Sequence, residues 1–121
     1  MNTGVPIEIN GEEKKLRFDV NAVSDIEEYF GKGIGVIFSE EQVGFRTIRA
    51  FFWAGLKWRD RGLTIERAGK FVQALIDQGE SIETMMKPIM KALQMSGVMG
   101  KEELDDMELI EEDEAKNVKQ A

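Results

Sequence analysis

Four serines, Ser24, Ser39, Ser81 and Ser96, offer hydroxyls for nucleophilic chemistry, but a neutral hydroxyl needs a base beside it to attack. The chain has no histidine and no cysteine, so only a Ser–Lys arrangement could activate one, and no spacing suggests such a pair. The same absences remove disulfides, thiolate chemistry and imidazole ligands. Ser39 and Ser81 are better placed to cap helices. The chain is therefore read as a non-enzyme with no catalytic residue, no cofactor and no metal.

Other chemistry-bearing patterns are weighed by context. Gly31-Lys-Gly-Ile-Gly35 is glycine-rich like a phosphate loop, yet it follows a helical pattern instead of a buried strand and lacks the Lys-Ser/Thr ending. A flexible connection is the better account. Between Arg46 and Lys70 seven basic residues (Arg46, Arg49, Lys57, Arg59, Arg61, Arg67, Lys70) face only Asp60 and Glu66, a local net of +5. Such a run either forms a solvated basic face or contacts phosphates, and two helices joined by a short turn are the frame of a helix-turn-helix protein. Six of the seven methionines fall between Met85 and Met107; unbranched and polarizable, they suit irregular partner surfaces as well as cores. Met95, Met99 and Met107, beyond the last clear helical face, have the better claim to a partner.

The elements that must position these residues read as one domain. The chain has 121 residues, 42% apolar and 32% charged, with a formal net charge of -7. That charge is uneven: residues 101–121 hold three lysines against nine acidic residues, a net of -6, so residues 1–100 form a nearly neutral body and the rest an acidic flexible tail. The tail lacks the spaced oxygen ligands of a calcium loop. No apolar run approaches a bilayer span and the first 20 residues carry charges where a signal peptide needs an apolar stretch, so a cytoplasmic protein without a membrane partner is expected.

Apolar periodicity predicts a mainly α fold of the α+β class: a short N-terminal β-hairpin, then a bundle of about four or five helices. Asn10-Gly11 should turn a hairpin over residues 5–18, with Pro6 on an edge strand or at its irregular start. Asn21 is the expected cap of a helix over about 21–30, ended by Gly31; residues 32–38 read as a packed connection or single helical turn. Ser39 with Gln42 has capping-box spacing for a helix over about 40–59. There Phe45, Ile48, Phe52 and Leu56 make one stripe, while Phe51, Trp53 and Trp58 lie to either side of it. Apolar surface wrapping most of a helix means either a central helix or an aromatic patch for a partner. Thr64 should cap a helix over 65–78 ending at Gly79, and Ser81 one over 82–95 that Pro88 kinks or restarts.

Two stretches, LRFDVNAVSDIEEYFGKGI (16–34) and RTIRAFFWAGLKWRD (46–60), resemble the tail assembly chaperones of long-tailed, non-contractile bacteriophages, the siphophage and prophage chaperone family. The likeness covers roughly residues 5–93 and is one of fold and core pattern: a β start, a short helix ending at Phe-Gly, and a helix carrying Arg49-Ala-Phe-Phe-Trp-Ala-Gly-Leu56. It implies a small helical protein of the host cytoplasm that coats the tape-measure protein, helps gather tail-tube protein around it and is absent from the mature virion. It also implies self-association and a longer product made by translational frameshifting. Phe51, Trp53, Trp58, Met95 and Met99 are the expected partner-binding residues. Nucleic acid is not the expected partner. Two other classes stand beside this one: a DNA-binding regulator using the basic 46–70 segment, and a structural tail or connector subunit.

Overall fold

A computed structural model describes residues 3–39 and 43–98. Two strands, β1 (Val5–Ile9) and β2 (Glu12–Leu16), form an antiparallel hairpin in the register Val5 to Leu16 and Ile9 to Glu12. Asn10 and Gly11 make the turn with φ of 54° and 77°, the left-handed pair that matches strand twist in a two-residue loop. Alternation puts Val5, Ile9 and Leu16 against the core. Pro6 pairs with Lys15, three positions from the closing pair Ile9 to Glu12, so its missing N–H costs the ladder nothing.

Five helices follow: α1 (Val20–Phe30), α2 (Ile34–Ser39), α3 (Phe45–Leu56), α4 (Ile65–Asp77) and α5 (Ile82–Ser96). The predicted mainly α architecture of hairpin and about five helices is the observed one. Thr64 and Ser81 cap α4 and α5 through their hydroxyls, Ser81 reciprocally with Thr84, and Gly31 and Gly97 take the left-handed position that closes α1 and α5. α5 runs through Pro88 as one helix.

Several boundaries differ from the sequence expectation. Asp19, not Asn21, caps α1, its carboxylate accepting from Ala22 N at 2.8 Å. Residues 34–39 form a helix because the Glu27 carboxylate reaches seven residues forward to accept from Ile34 N at 2.7 Å. Ser39 does not open the central helix: it ends α2, and its hydroxyl donates back to Val36 O at 2.9 Å. α3 starts instead after extended Gly44 and stops at Leu56. Glu40, Glu41 and Gln42, the rest of the proposed capping box, lie outside the described residues, as does the acidic tail.

α3 is the central element, packed against β2, α1, α4 and α5. Ile48, Ala50, Phe51, Phe52, Ala54, Gly55 and Leu56 are all buried. Gly55 permits the closest approach: a Cβ there would lie 2.7 Å from Leu16 Cδ2 and 2.9 Å from Phe18 Cζ, inside contact distance of two fully buried side chains. That approach lets Arg17 N donate to Gly55 O at 2.9 Å and ties the hairpin to the helix.

The two outer edges of the hairpin are covered by unlike means. On β1, the Gln78 side chain accepts from Asn10 N at 2.8 Å and donates to Glu8 O at 3.1 Å, so one amide group takes the place of a neighbouring strand's peptide. On β2, Trp58 Nε1 donates to Lys15 O at 3.0 Å beside the Arg17 to Gly55 bond. Among the described residues no helix is long and apolar enough to cross a membrane.

Candidate functional site

The aromatic residues of α3 and its C-terminal turn serve the chain's own core more than the sequence pattern implies. Phe51 is 0% exposed, set edge-on to Phe18 with ring centres 5.9 Å apart and tilted to Phe38 at 5.5 Å. Its assignment to a partner surface is corrected: a residue with no exposed surface cannot anchor a partner on the folded chain. Trp53 and Trp58 are half-buried, and each indole N–H is satisfied internally, Trp53 by Leu63 O at 3.1 Å and Trp58 by Lys15 O. Their remaining faces carry cations, Lys57 over Trp53 at 4.2 Å and Arg17 and Arg59 over Trp58 at 5.1 and 5.5 Å. The two indoles therefore serve the fold through these internal contacts. Met95 is 45% exposed, and Met99 lies outside the described residues.

The exposed aromatic is Phe45, which the sequence pattern assigns to the core stripe. It is 54% exposed at the first turn of α3. Helical spacing puts it in line with Ile48, but at the first turn of α3 it shares a groove with Val72, Gln73 and Ile76 of α4 and stays more than half exposed. There α3 and α4 wall an open groove of about 430 Å³, lined by Phe45, Arg46, Arg49, Val72, Gln73 and Ile76. Gly69 also lines it: a Cβ would stand 3.2 Å from Arg49 Cδ, so a glycine, unfavourable in a helix interior by about 1 kcal/mol relative to alanine, makes room for that arginine to lie across α4.

Arg46 and Arg49 are held in place by the one tyrosine of the chain. Arg49 donates to the Tyr29 hydroxyl at 3.2 Å, and Arg46 stacks over the rings of Tyr29 and Phe30 at 5.1 and 5.2 Å. Burial pushes the Tyr29 phenol up, but hydrogen bonds from Arg46 and Arg49 together with their charge outweigh it and hold the phenol below its ordinary 10.0. Arg49 Nε is buried and has no acceptor among the described residues. The groove thus combines an exposed aromatic, aliphatic walls and two positioned guanidinium groups. Such a surface binds by apolar burial and charge-assisted hydrogen bonds.

The rest of the basic run is dispersed by the fold. Lys57 pairs with Asp25 at 2.6 Å and Arg67 with Asp60 at 3.0 Å, while Arg59 stacks on Trp58. The +5 of residues 46–70 is therefore partly spent on carboxylates and rings around the molecule. Sequence reasoning noted Arg46 and Arg49 as charges but missed the groove, because Val72 and Ile76 share its wall with them only through helix packing. The signals that could have pointed to it are Phe45 after a glycine and Gly69 inside an otherwise strong helical pattern. Comparison with protein families, with curated proteins and with solved structures finds no match to this chain.

Proposed function

We propose that the protein is a tail assembly chaperone of a long-tailed, non-contractile bacteriophage or prophage, coating the tape-measure protein and helping tail-tube protein assemble around it. The observation that carries this reading is the paired resemblance of residues 16–34 and 46–60, ending in the run Arg49-Ala-Phe-Phe-Trp-Ala-Gly-Leu56. It is supported by the way those two stretches meet: Phe18 packs on Phe51, Arg17 bonds Gly55 and Asp25 pairs with Lys57, so the residues of the resemblance build one packing unit.

The α3–α4 groove is the client surface of this reading. A long helical client presents many similar apolar stripes, and an open groove with one aromatic and two arginines accepts such stripes without demanding one sequence. Each contact is worth little, on the order of 25 cal/mol per Å² of apolar area, and many copies on one client supply the affinity. The action is reversible coating in the host cytoplasm with no bond made or broken.

The test is a pull-down of the tagged chain from phage-producing cells, run beside Phe45→Ser. Recovery of one very long helical protein with tail-tube subunits, lost in the variant, is the expected result. Nuclease-sensitive DNA in its place would overturn the chaperone reading and favour a regulator. Recovery of the chain in purified particles would make it a structural subunit instead.

A further inference from the structure

We infer that the α3–α4 groove is occupied, in the isolated protein, by the acidic segment Leu104–Ile110 of the same chain. The groove offers Phe45, Val72 and Ile76 as apolar walls with Arg46 and Arg49 between them. Residues 104–110 read Leu-Asp-Asp-Met-Glu-Leu-Ile, four apolar side chains and three carboxylates in seven positions. The two compositions are complementary in both respects. The comparable run within residues 1–100, Val23–Phe30, is already packed in α1, and the tail's net charge of -6 is the largest unbalanced charge in the chain.

The chemistry of the groove favours a carboxylate-bearing occupant over a purely apolar one. Arg49 spends one terminal nitrogen on Tyr29 and its Nε is buried, so its other terminal nitrogen and the guanidinium of exposed Arg46 are what an incoming carboxylate can meet. A guanidinium carries five donors, so Arg46 and Arg49 retain capacity for charge-assisted hydrogen bonds after their contacts with Tyr29. Phe45, half exposed next to them, gains most from apolar neighbours. A segment with both kinds of side chain meets both needs at once.

The chain can reach. Gln73 and Ile76 lie in the last turns of α4, and α5 begins five residues after α4 ends. α5 has 15 residues, a length of about 22 Å, so the chain leaves it roughly that far from the groove. From Val98 to Met107 nine residues span up to about 30 Å when extended, enough to double back. The closing cost grows slowly with linker length, and tethering gives the segment a high effective concentration, so a weak contact is populated.

The contact is tested on the full chain without any client, so its failure is separate from that of the proposed function. The natural sequence has no cysteine, and Ala115→Cys therefore accepts a single nitroxide label five residues past the segment. The expected result is loss of the amide signals of Phe45, Arg46, Gln73 and Ile76, with those of Glu12–Lys15 in the hairpin retained. The losses should reverse on adding salt to about 1 M, where screening is nearly complete within 3 Å. They should also reverse in the tail variant Asp105→Asn, Asp106→Asn, Glu108→Gln, which leaves the packed domain untouched. Groove signals that persist in the labelled chain, or losses indifferent to both salt and the tail variant, would overturn the inference. Mixing isotope-labelled chain with nitroxide-labelled, isotope-free chain should leave the groove signals intact; their loss there would show a tail from another copy and overturn the same-chain assignment.

Discussion

The hairpin edge and the α3–α4 groove treat polar groups in opposite ways. At the hairpin, Glu8 O, Asn10 N, Lys15 O and Arg17 N, which a two-stranded sheet leaves facing outward, each find a partner in Gln78, Trp58 or Gly55. At the groove, an aromatic ring is half exposed and Arg49 Nε lacks an acceptor among the described residues. The first region ties these four main-chain groups to residues beyond the hairpin, with Arg17 Nε left buried without an acceptor among the described residues, while the second sets such a donor beside an exposed ring. Neither exposure nor an orphaned donor alone separates them; the groove differs in placing its donor beside a ring that is 54% exposed.

The sharpest way to break this contrast is at Gly55. Gly55→Ala puts a methyl group against Leu16 and Phe18 and should cost about 1–3 kcal/mol, read as a lower midpoint in urea denaturation. No loss of stability would mean that helix and strand are not in close contact. Next come the edge seals. Trp58→Phe keeps an aromatic face under Arg17 and Arg59 but removes the donor to Lys15 O along with part of the indole, and Gln78→Ala uncovers Glu8 O and Asn10 N; each should lose about 1 kcal/mol or more. Both should also raise concentration-dependent association by light scattering, because an unsealed strand edge pairs with another chain.

Phe45→Ser reads the other side of the contrast and should change stability by no more than about 0.5 kcal/mol while abolishing capture of the client. A large stability loss would show Phe45 to be core. The smallest effect is spectroscopic. Tyr29 is the chain's one tyrosine, and an alkaline absorbance titration should place its ionisation below 10.0, moving upward in Arg46→Ala. A phenol held low when folded contributes stability only in alkali. That contribution is complete above the unfolded value of 10.0, vanishes as pH falls through the folded value and is nil near pH 7.

What was legible in the sequence was local. Asn10-Gly11 turns because those residues accept positive φ, and Thr64, Ser81 and Gly31 act within four residues of themselves. The periodicity of α4 and α5 reports a face that meets one neighbour. The failures are non-local. Glu27 caps a helix seven residues on, Gln78 seals a strand 68 residues back, and neither side chain differs in type from an ordinary surface residue. In α3 the apolar residues surround the helix, so spacing could not say which of Phe45, Phe51, Trp53 and Trp58 would remain uncovered; the neighbours decide, and they place Phe51 inside and Phe45 outside. The groove was illegible for the same reason, being a property of two helices and of a glycine that lets one arginine cross.

The sealing of the hairpin from residues 58 and 78 has a consequence for how the protein is born. Synthesis delivers the hairpin before the helices that seal it, and the groups that cover its edges arrive 43 and 68 residues later in the chain. A nascent chain therefore carries an open-edged strand pair until α4 has emerged and delivered Gln78. A two-stranded sheet is marginal on its own and an open strand edge is a template for another chain, so the two seals matter most before the helices have packed. The order of synthesis thus sets a window, closed once residue 78 has emerged, in which the strand edges lack the partners that cover them in the folded domain.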